Sequence, residues 1–415
     1  MKKFWRSGLI FTAASFIVGL GNLAFQSVIG HHLKTPGEYG LVNSALGLYA
    51  LLALPGTIAT QAVTHYIARF NFTGDDTRLH GLLAGCHRFL LRLTFFGSVL
   101  ATILIVPLGR FFHIPRTSVV IIVLICVLAG LWSGFATALC QGLGWFKRLA
   151  LMSILTVVIR LSWGGLVVWK FPTAEWAVMA TAVSMISFAI LLFWKKDFAW
   201  SSVAISPWDR EFVFFLIVAA ALTGGTYCFS QGDLLVGQRY FAKTEMDAYS
   251  SAGVLARALS MTVAPLLTIL FTHRSAAHAH SGDDLREQFK LLGLYGIGLA
   301  GGATGLLLLR GSLLTLIGRN TPGASEMVAP FAWTMVFVGL IQALGMWSLA
   351  SRWLKVSLLY GFLGVIYWAI LLVWGRTPQA MLLIMPVAAA LVFGILFTVW
   401  LMAMLKAHPR APRQT

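Results

Sequence analysis

The sequence predicts an all-α integral membrane protein of twelve transmembrane helices, in two six-helix lobes related by a pseudo-twofold axis along the membrane normal. Three observations predict it. Hydrophobic residues make up 58% of the 415 and charged residues 11%, with a mean hydropathy of +0.82. That is too little charge to clothe a soluble protein of this size. Apolar runs of about 20 residues, the length that crosses a bilayer as a helix, recur from end to end. The second half of the chain also echoes the first.

Each expected span is an apolar run bracketed by cations. Span one (7–30) lies between Lys2, Lys3, Arg6 and Lys34, and runs on from the N-terminus without a small-residue cleavage site, so no cleavable leader is expected. Span two (39–66) lies between Lys34 and Arg69, and span three (84–108) between Arg78 and Arg110, with Arg88 and Arg92 at its inner end. Span four (117–140) separates Arg116 from Lys147, span five (148–169) runs from Arg148 to Lys170, and span six (174–194) ends at Lys195 and Lys196. In the second half, span seven (212–238) follows Arg210, span eight (246–272) follows Lys243, and span nine (291–316) follows Lys290. Span ten (328–350) reaches Arg352, span eleven (356–375) follows Lys355, and span twelve (379–405) ends before Lys406.

Of the 31 Lys and Arg, twenty fall on the side of the two termini and eight on the other. The excess of basic residues marks the cytoplasmic face, so both termini are expected inside. Much of the +17 net charge is then a topology signal and a grip on anionic headgroups. A nucleic-acid partner is not expected, because no soluble basic domain with interleaved aromatics exists. Cys86, Cys126, Cys140 and Cys228 lie in or beside spans and form no disulfide or zinc pattern.

The repeat is visible in two places. "KTPGEYGLVNSALGLYALLALP" (34–55) resembles "KTEMDAYSSAGVLARALSMTVAP" (243–265): Lys-Thr, an acid before a Tyr, small residues, then Pro. Span one carries Thr12, Ser15, Gly19, Asn22 and Gln26, and span seven carries Thr223, Thr226, Ser230, Asp233 and Gly237. Both sets step by 3, 4, 3, 4, which lines each along one helical face. With an even number of spans per copy, the copies enter the membrane in the same sense, and a polar seam is expected between a lobe of residues 1–205 and a lobe of residues 206–415.

Orientation leaves four intramembrane charges unexplained: Arg160, Arg257, Arg310 and Asp233. Arg257 sits about 16 Å into span eight, near mid-bilayer, where a guanidinium must pair, line water or meet an anionic ligand. Two readings follow: an ion pair with Asp233 tying spans seven and eight, or a ligand site that Asp233 tunes or releases. Asp233, on the polar stripe, is expected to face the wet seam, with Asn22 its uncharged counterpart. Pro265 offers a place for span eight to break. Arg160 either bonds carbonyls between helices or lines the cavity, and Arg310, nearer the outer end, is expected to snorkel. Thr57, Gln61 and Thr64 form a strip on span two with His65 beside it, readable as interhelical hydrogen bonding or as seam lining. His273, His278, His280, Asp283 and Asp284 read as a solvated loop in place of a metal site. No metal or other cofactor is expected.

At this point "GEYGLVNSALGLYALLALPGTIATQAVTHYIARF" and "QGDLLVGQRYFAKTEMDAYSSAGVLARAL" resemble the Wzx-like polysaccharide flippases of the multidrug/oligosaccharidyl-lipid/polysaccharide (MOP) exporter superfamily. The resemblance runs along essentially the whole chain, on soft, glycine-rich motifs. It implies two lobes around a cavity lined by spans one, two, seven and eight, and alternating access that flips a polyprenyl-pyrophosphate-linked oligosaccharide from inner to outer leaflet. It also implies a cation (H+ or Na+) as coupling ion in some members, and Arg257 is the position that matches a pyrophosphate-binding cation. Span one has no charge beyond Arg6, a departure from a heavily cationic cavity. Asn22, Gln26, Gln61, Tyr227 and Ser230 are expected to replace water around the sugar, with Arg257, Asp233 and Arg160 supplying the charge. A monomer in contact with membrane lipids is expected. A drug or metabolite antiporter using Asp233 is the alternative. A membrane glycosyl ligase or polymerase, the third reading, needs a large catalytic outer loop, and every outer connection here is short.

Overall fold

The computed structural model describes residues 2–193, 210–277, 285–319, 321, 323–350 and 353–407, with side chains left undescribed at 2–12, 192–193, 210–211, 261–277, 285–288, 349–350 and 406–407. Among the described residues every regular element is a helix. In chain order these are α1 (Lys2–His32), α2 (Glu38–Leu52), α3 (Leu54–Thr73), α4 (Asp76–Phe111), α5 (Thr117–Gly142), α6 (Phe146–Trp163), α7 (Ala174–Phe193), α8 (Arg210–Ser230), α9 (Gly232–Tyr240), α10 (Lys243–Ala277), α11 (Leu285–Leu316), α12 (Ala324–Ala350), α13 (Leu354–Trp374) and α14 (Pro378–Ala407).

Among the described residues ten of these are long and apolar enough to cross a membrane, or eleven if the bent pair α2–α3 is one span. The chain is a multi-pass membrane protein. The eighth expected span runs along α10, which is one unbroken helix past Pro265. The breaks fall elsewhere. Span two bends by 50° at Ala53, where Pro55 occupies the first turn of α3 and cannot donate to the preceding turn. Span seven breaks at Gln231, between α8 and α9. A π-helical turn (Gly164–Val168) closes α6, where Gly164 packs against the Phe25 ring.

Two large apolar cores follow the halves of the sequence. One draws its buried residues from 218 to 404, with Trp400, Tyr360, Tyr367 and Phe331 among the largest. The other runs from Phe25 to Ala182 and borrows Tyr227, Cys228 and Leu235 from the second half. The dividing point drawn at 205 lies outside the described residues. Glycine allows a close backbone approach within the second half: a Cβ on Gly364 of α13 would stand 2.6 Å from the Gly225 Cα of α8. Such backbone contact is how helices gain packing when lipid supplies no hydrophobic drive between them.

Candidate functional site

One cavity of about 340 Å³ lies where α1, α2, α6, α7, α10 and the α8–α9 junction meet. Its polar lining is Ser15, Asn22, Gln26, Asn43, Tyr49, Arg160, Thr181, Gln231 and Arg257. Four of the five stripe residues of α1, Ser15, Gly19, Asn22 and Gln26, are in this wall, and Thr12 lies outside the described side chains.

Arg257 reaches the cavity edge from α10 by folding back along its own helix. Gly253, one turn earlier, leaves the room: a Cβ there would stand 2.5 Å from Arg257 Nη1. The guanidinium then bridges the break in span seven. Its Nε donates to the Ser230 carbonyl at 2.7 Å, a group left without a helical partner by the break, and its Nη2 donates to Asp233 Oδ2 at 2.5 Å. The Tyr249 hydroxyl donates to the same carboxylate oxygen at 2.8 Å, and Phe331 stands 5.6 Å from the guanidinium carbon. Trp368 closes the junction from α13, its Nε1 donating to the Gly232 carbonyl at 2.9 Å. Asp233 is 1% exposed and Arg257 7%, so the pair is buried with only the arginine on the cavity wall.

Asp233 therefore does not face the open seam; it stands behind Arg257. The stripe of span seven assumed one continuous helix, and the break at Gln231 ends that register. Thr226 and Tyr227 also turn away: Thr226 bonds Tyr360 at 2.8 Å, and the Tyr227 hydroxyl donates to the Gly47 carbonyl at 3.1 Å, joining α8 to α2. Ser230 spends its hydroxyl on the Thr226 carbonyl of its own helix. Gln61 meets Thr223 at 3.4 Å, a bond between α3 and α8, away from the cavity lining.

Arg160 enters from α6 and lies in the same cavity wall as Arg257. Its Nη1 donates to Asn22 Oδ1 at 2.9 Å, and its other nitrogens reach Ser184 Oγ at 3.3 and 3.4 Å. All its hydrogen-bond partners here are neutral. Two guanidiniums thus border one small cavity, and Asp233 is the carboxylate beside them. Gln26 is held by the Tyr39 hydroxyl at 3.0 Å and by Asn43 at 3.4 Å. Asn43, Tyr49 and Gln231 were not singled out by the sequence reading. The signal for Asn43 was its polar amide inside a span, which membrane helices tolerate only against a partner or water. Arg310 is not among the cavity residues, Pro265 and His273 lie outside the described side chains, and His278, His280, Asp283 and Asp284 lie outside the described residues.

Gly253→Ala tests how the arginine is positioned. The added methyl must displace the guanidinium from Asp233, so a loss of about 1–3 kcal/mol is expected. It is read as a lower midpoint of thermal unfolding in detergent. Gly305→Ala, inside α11 with open space around it, does not lower the midpoint, since alanine is the better helix former.

A second polar constellation ties the halves together at the end where α2 and α10 begin. Asp247 of α10 accepts from the Gly37 and Gly40 backbone N–H groups at 2.8 and 2.6 Å, capping the N-terminus of α2 with a carboxylate. Gly37 supports this turn with φ +88°, a conformation glycine adopts without strain. Arg319 lies 3.9 Å from Asp247, donates to the Leu33 carbonyl, and stands 4.6 Å from the Tyr39 ring. Ser27 donates to the Leu316 carbonyl at 2.7 Å, and Arg239 of α9 to the Phe111 carbonyl of α4 at 2.8 Å. The repeat-matched acid, Glu38, makes the corresponding bonds inside its own half: it accepts from the Ala174 N–H at 2.6 Å and pairs with Arg116, which also meets Glu175 at 2.8 Å. Burial pulls the Arg116 pKa down, and Glu38 and Glu175 outweigh it, leaving it above the ordinary arginine value.

No family model and no curated protein matches the chain. Solved structures do. The lipid II flippase MurJ in an inward closed conformation is similar with a TM-score of 0.70 and 11% identity, covering 94% of this chain and 87% of that one. An inward-facing multidrug resistance MATE family transporter of the MOP superfamily gives 0.62 and 12%, covering 97% and 100%. A MOP superfamily transporter from Pyrococcus furiosus, whose reversed pocket polarity is taken to suggest a different function, gives 0.60 and 11%, covering 95% of each chain. At these identities the likeness establishes the fold: the chain has the all-helical fold of MOP superfamily transporters.

Proposed function

We propose that the chain is a membrane transporter that flips a polyprenyl-pyrophosphate-linked oligosaccharide from the inner to the outer leaflet of a bacterial cytoplasmic membrane, for surface polysaccharide assembly. The observation that carries this reading is the cavity bordered by Arg160 and Arg257, with Asp233 already paired behind one of them. Such a wall favours an anion, and a diphosphate offers oxygens that guanidinium groups recognise with charge-assisted hydrogen bonds. Asn22, Gln26, Asn43 and Gln231 around them suit the hydroxyls of a sugar. A cavity for organic cations calls for the opposite balance of charge.

In this reading the two lobes, 1–205 and 206–415, related by a pseudo-twofold axis along the membrane normal, rock against each other to give alternating access. The Asp247–α2 and Arg319–Leu33 contacts hold the outer ends together while substrate loads from the cytoplasmic side. Arg257 exchanges Asp233 for the diphosphate as the lobes move. A coupling cation, H+ or Na+, supplies the driving force if transport is active. The protein acts as a monomer, with both termini cytoplasmic.

The test is deletion of the gene in its own host. Loss of surface glycan, with the lipid-linked precursor accumulating on the cytoplasmic leaflet, is the expected result. Unchanged glycan together with raised sensitivity to organic cations would instead assign the chain to drug export.

A further inference from the structure

Arg116, Arg257 and Arg319 each stand beside a carboxylate: Glu38 and Glu175, Asp233, and Asp247 respectively. Arg160, in the wall of the seam cavity, has no carboxylate partner among the described residues. The rest of the surrounding helices do not change this. Residues 2–12 of α1, 192–193 of α7 and 261–277 of α10, whose side chains are not described, contain neither Asp nor Glu. Glu211 lies at the far end of α8, roughly 20 residues and so about 30 Å along the helix from the junction at Gln231.

The guanidinium is also loosely tied. Its bond to Asn22 is 2.9 Å, but those to Ser184 are 3.3 and 3.4 Å, beyond the usual range for N–H···O. The Ser184 hydroxyl is itself spent on the Thr181 carbonyl at 2.7 Å. Phe25 backs the guanidinium, its ring 5.8 Å from the guanidinium carbon. These contacts use part of the planar fork and leave N–H donors for another acceptor.

Thr181 stands one turn before Ser184 on α7 and lines the same cavity. It is 3% exposed, and its hydroxyl has no hydrogen-bond partner among the described residues. Threonines in membrane helices commonly spend that hydroxyl on the carbonyl one turn back, as Thr57, Thr60 and Thr64 do. Thr181 does not. One wall thus carries two unmet demands, a buried cation without a counter-charge and an idle buried donor. A ligand with negative charge spread over several acceptor oxygens meets both.

We infer that Arg160 and Thr181 form a phosphoryl-binding subsite on the first-half wall of the seam cavity, separate from the Arg257–Asp233 pair. This rests on the reading that the cavity takes a diphosphate, and adds where its charge lodges most readily. Arg160 gives up only bonds to neutral groups, whereas Arg257 must leave a carboxylate. Thr181 supplies a donor that sequence spacing alone did not single out.

The experiment uses the purified full chain in detergent, titrated with undecaprenyl pyrophosphate, undecaprenol or sodium pyrophosphate. Bound lipid is counted by native mass spectrometry, and the midpoint of thermal unfolding is followed with and without each compound. Wild-type protein retains undecaprenyl pyrophosphate over undecaprenol. Arg160→Gln lowers the affinity for undecaprenyl pyrophosphate about tenfold and Thr181→Val about fivefold, with undecaprenol unaffected. Neither variant has a lower midpoint without ligand, because the charge removed has no counter-charge and the hydroxyl removed has no partner. A structural tie would show the opposite: a lower midpoint with binding intact. Undiminished undecaprenyl pyrophosphate binding in either variant overturns the subsite and leaves the flippase reading standing. Equal retention of undecaprenol and undecaprenyl pyrophosphate by wild type, or retention of none of the three compounds, also overturns it. Wild-type protein that holds sodium pyrophosphate through Arg160 and Thr181 but rejects undecaprenyl pyrophosphate keeps the subsite and removes the flippase reading.

Discussion

Under the proposed function, Arg257→Ala is expected to abolish export of surface glycan while the protein still reaches the membrane, and Arg257→Lys to restore only part of it. The reason is geometric. The arginine makes three contacts at once, with the Ser230 carbonyl, the Asp233 carboxylate and the cavity. Lysine replaces the charge but not the planar fork, so it cannot serve the carbonyl and the carboxylate together. Removing one partner of a buried pair costs about 3–5 kcal/mol, because the other charge is left behind without compensation. Asp233 would retain only the Tyr249 hydroxyl, and its Oδ1 has no hydrogen-bond partner even now. A stability loss of that size would mask a transport role, so the ion pair and the ligand role must be separated. Asp233→Asn is compared with Asp233→Asn/Arg257→Gln. Recovery of both folded yield and glycan export in the double variant means that the pair is only structural. Recovery of folded yield without export means that the guanidinium is required by the substrate.

Under the proposed function, joining the two halves at the end where α2 and α10 begin is expected to stop transport. An ideal Cβ on Gly37 stands 2.9 Å from the Lys243 Cβ, so Gly37→Cys with Lys243→Cys brings two sulfurs within bonding reach after a small shift. The pair is made in a background lacking Cys86, Cys126, Cys140 and Cys228. Oxidation should reduce glycan export at least tenfold, and a reductant should restore it. Restoration by reductant also removes misfolding as an explanation, including any strain from placing a side chain at the left-handed φ of Gly37. Full export by the oxidised, cross-linked protein would show that these ends do not separate during the cycle, and alternating access of the kind proposed would fall. Asp247→Asn acts in the same place but more gently. It removes the charge that caps α2 while keeping the shape, an effect of about 0.3–1 kcal/mol in favour of the parted ends.

Much of the candidate site was legible in the sequence. A guanidinium cannot be left in hydrocarbon, so the depth of Arg160 and Arg257 along their spans was enough to single them out. The 3, 4, 3, 4 spacing on α1 was enough to put Ser15, Gly19, Asn22 and Gln26 on one face, because that helix is unbroken where they lie. The same argument failed on span seven. There the helix breaks at Gln231, and the residues before and after the break no longer share an azimuth. Tyr227 consequently points to Gly47, and Asp233 lies behind the arginine. Nothing local announces that break: Gly232 allows it, but glycines elsewhere in the spans sit in unbroken helix. The distant partners of the junction, Trp368 of α13 and Arg257 of α10, satisfy the backbone groups it frees.

The matched acids of the two repeats draw the line most clearly. By itself the sequence determined that Glu38 and Asp247 open equivalent spans after a Lys-Thr pair, and that the spans are helices buried in lipid. Composition and periodicity suffice for that, because a membrane leaves the backbone few ways to satisfy its own hydrogen bonds. Only the tertiary structure decided where each carboxylate went. Glu38 turns to Ala174 and Arg116 within its own half, whereas Asp247 crosses to the free N–H groups of Gly37 and Gly40. Both choices satisfy a helix N-terminus, so local chemistry cannot tell them apart. What separates them is which helix end the packing of the two halves brings within about 3 Å, a matter of docking between segments some two hundred residues apart.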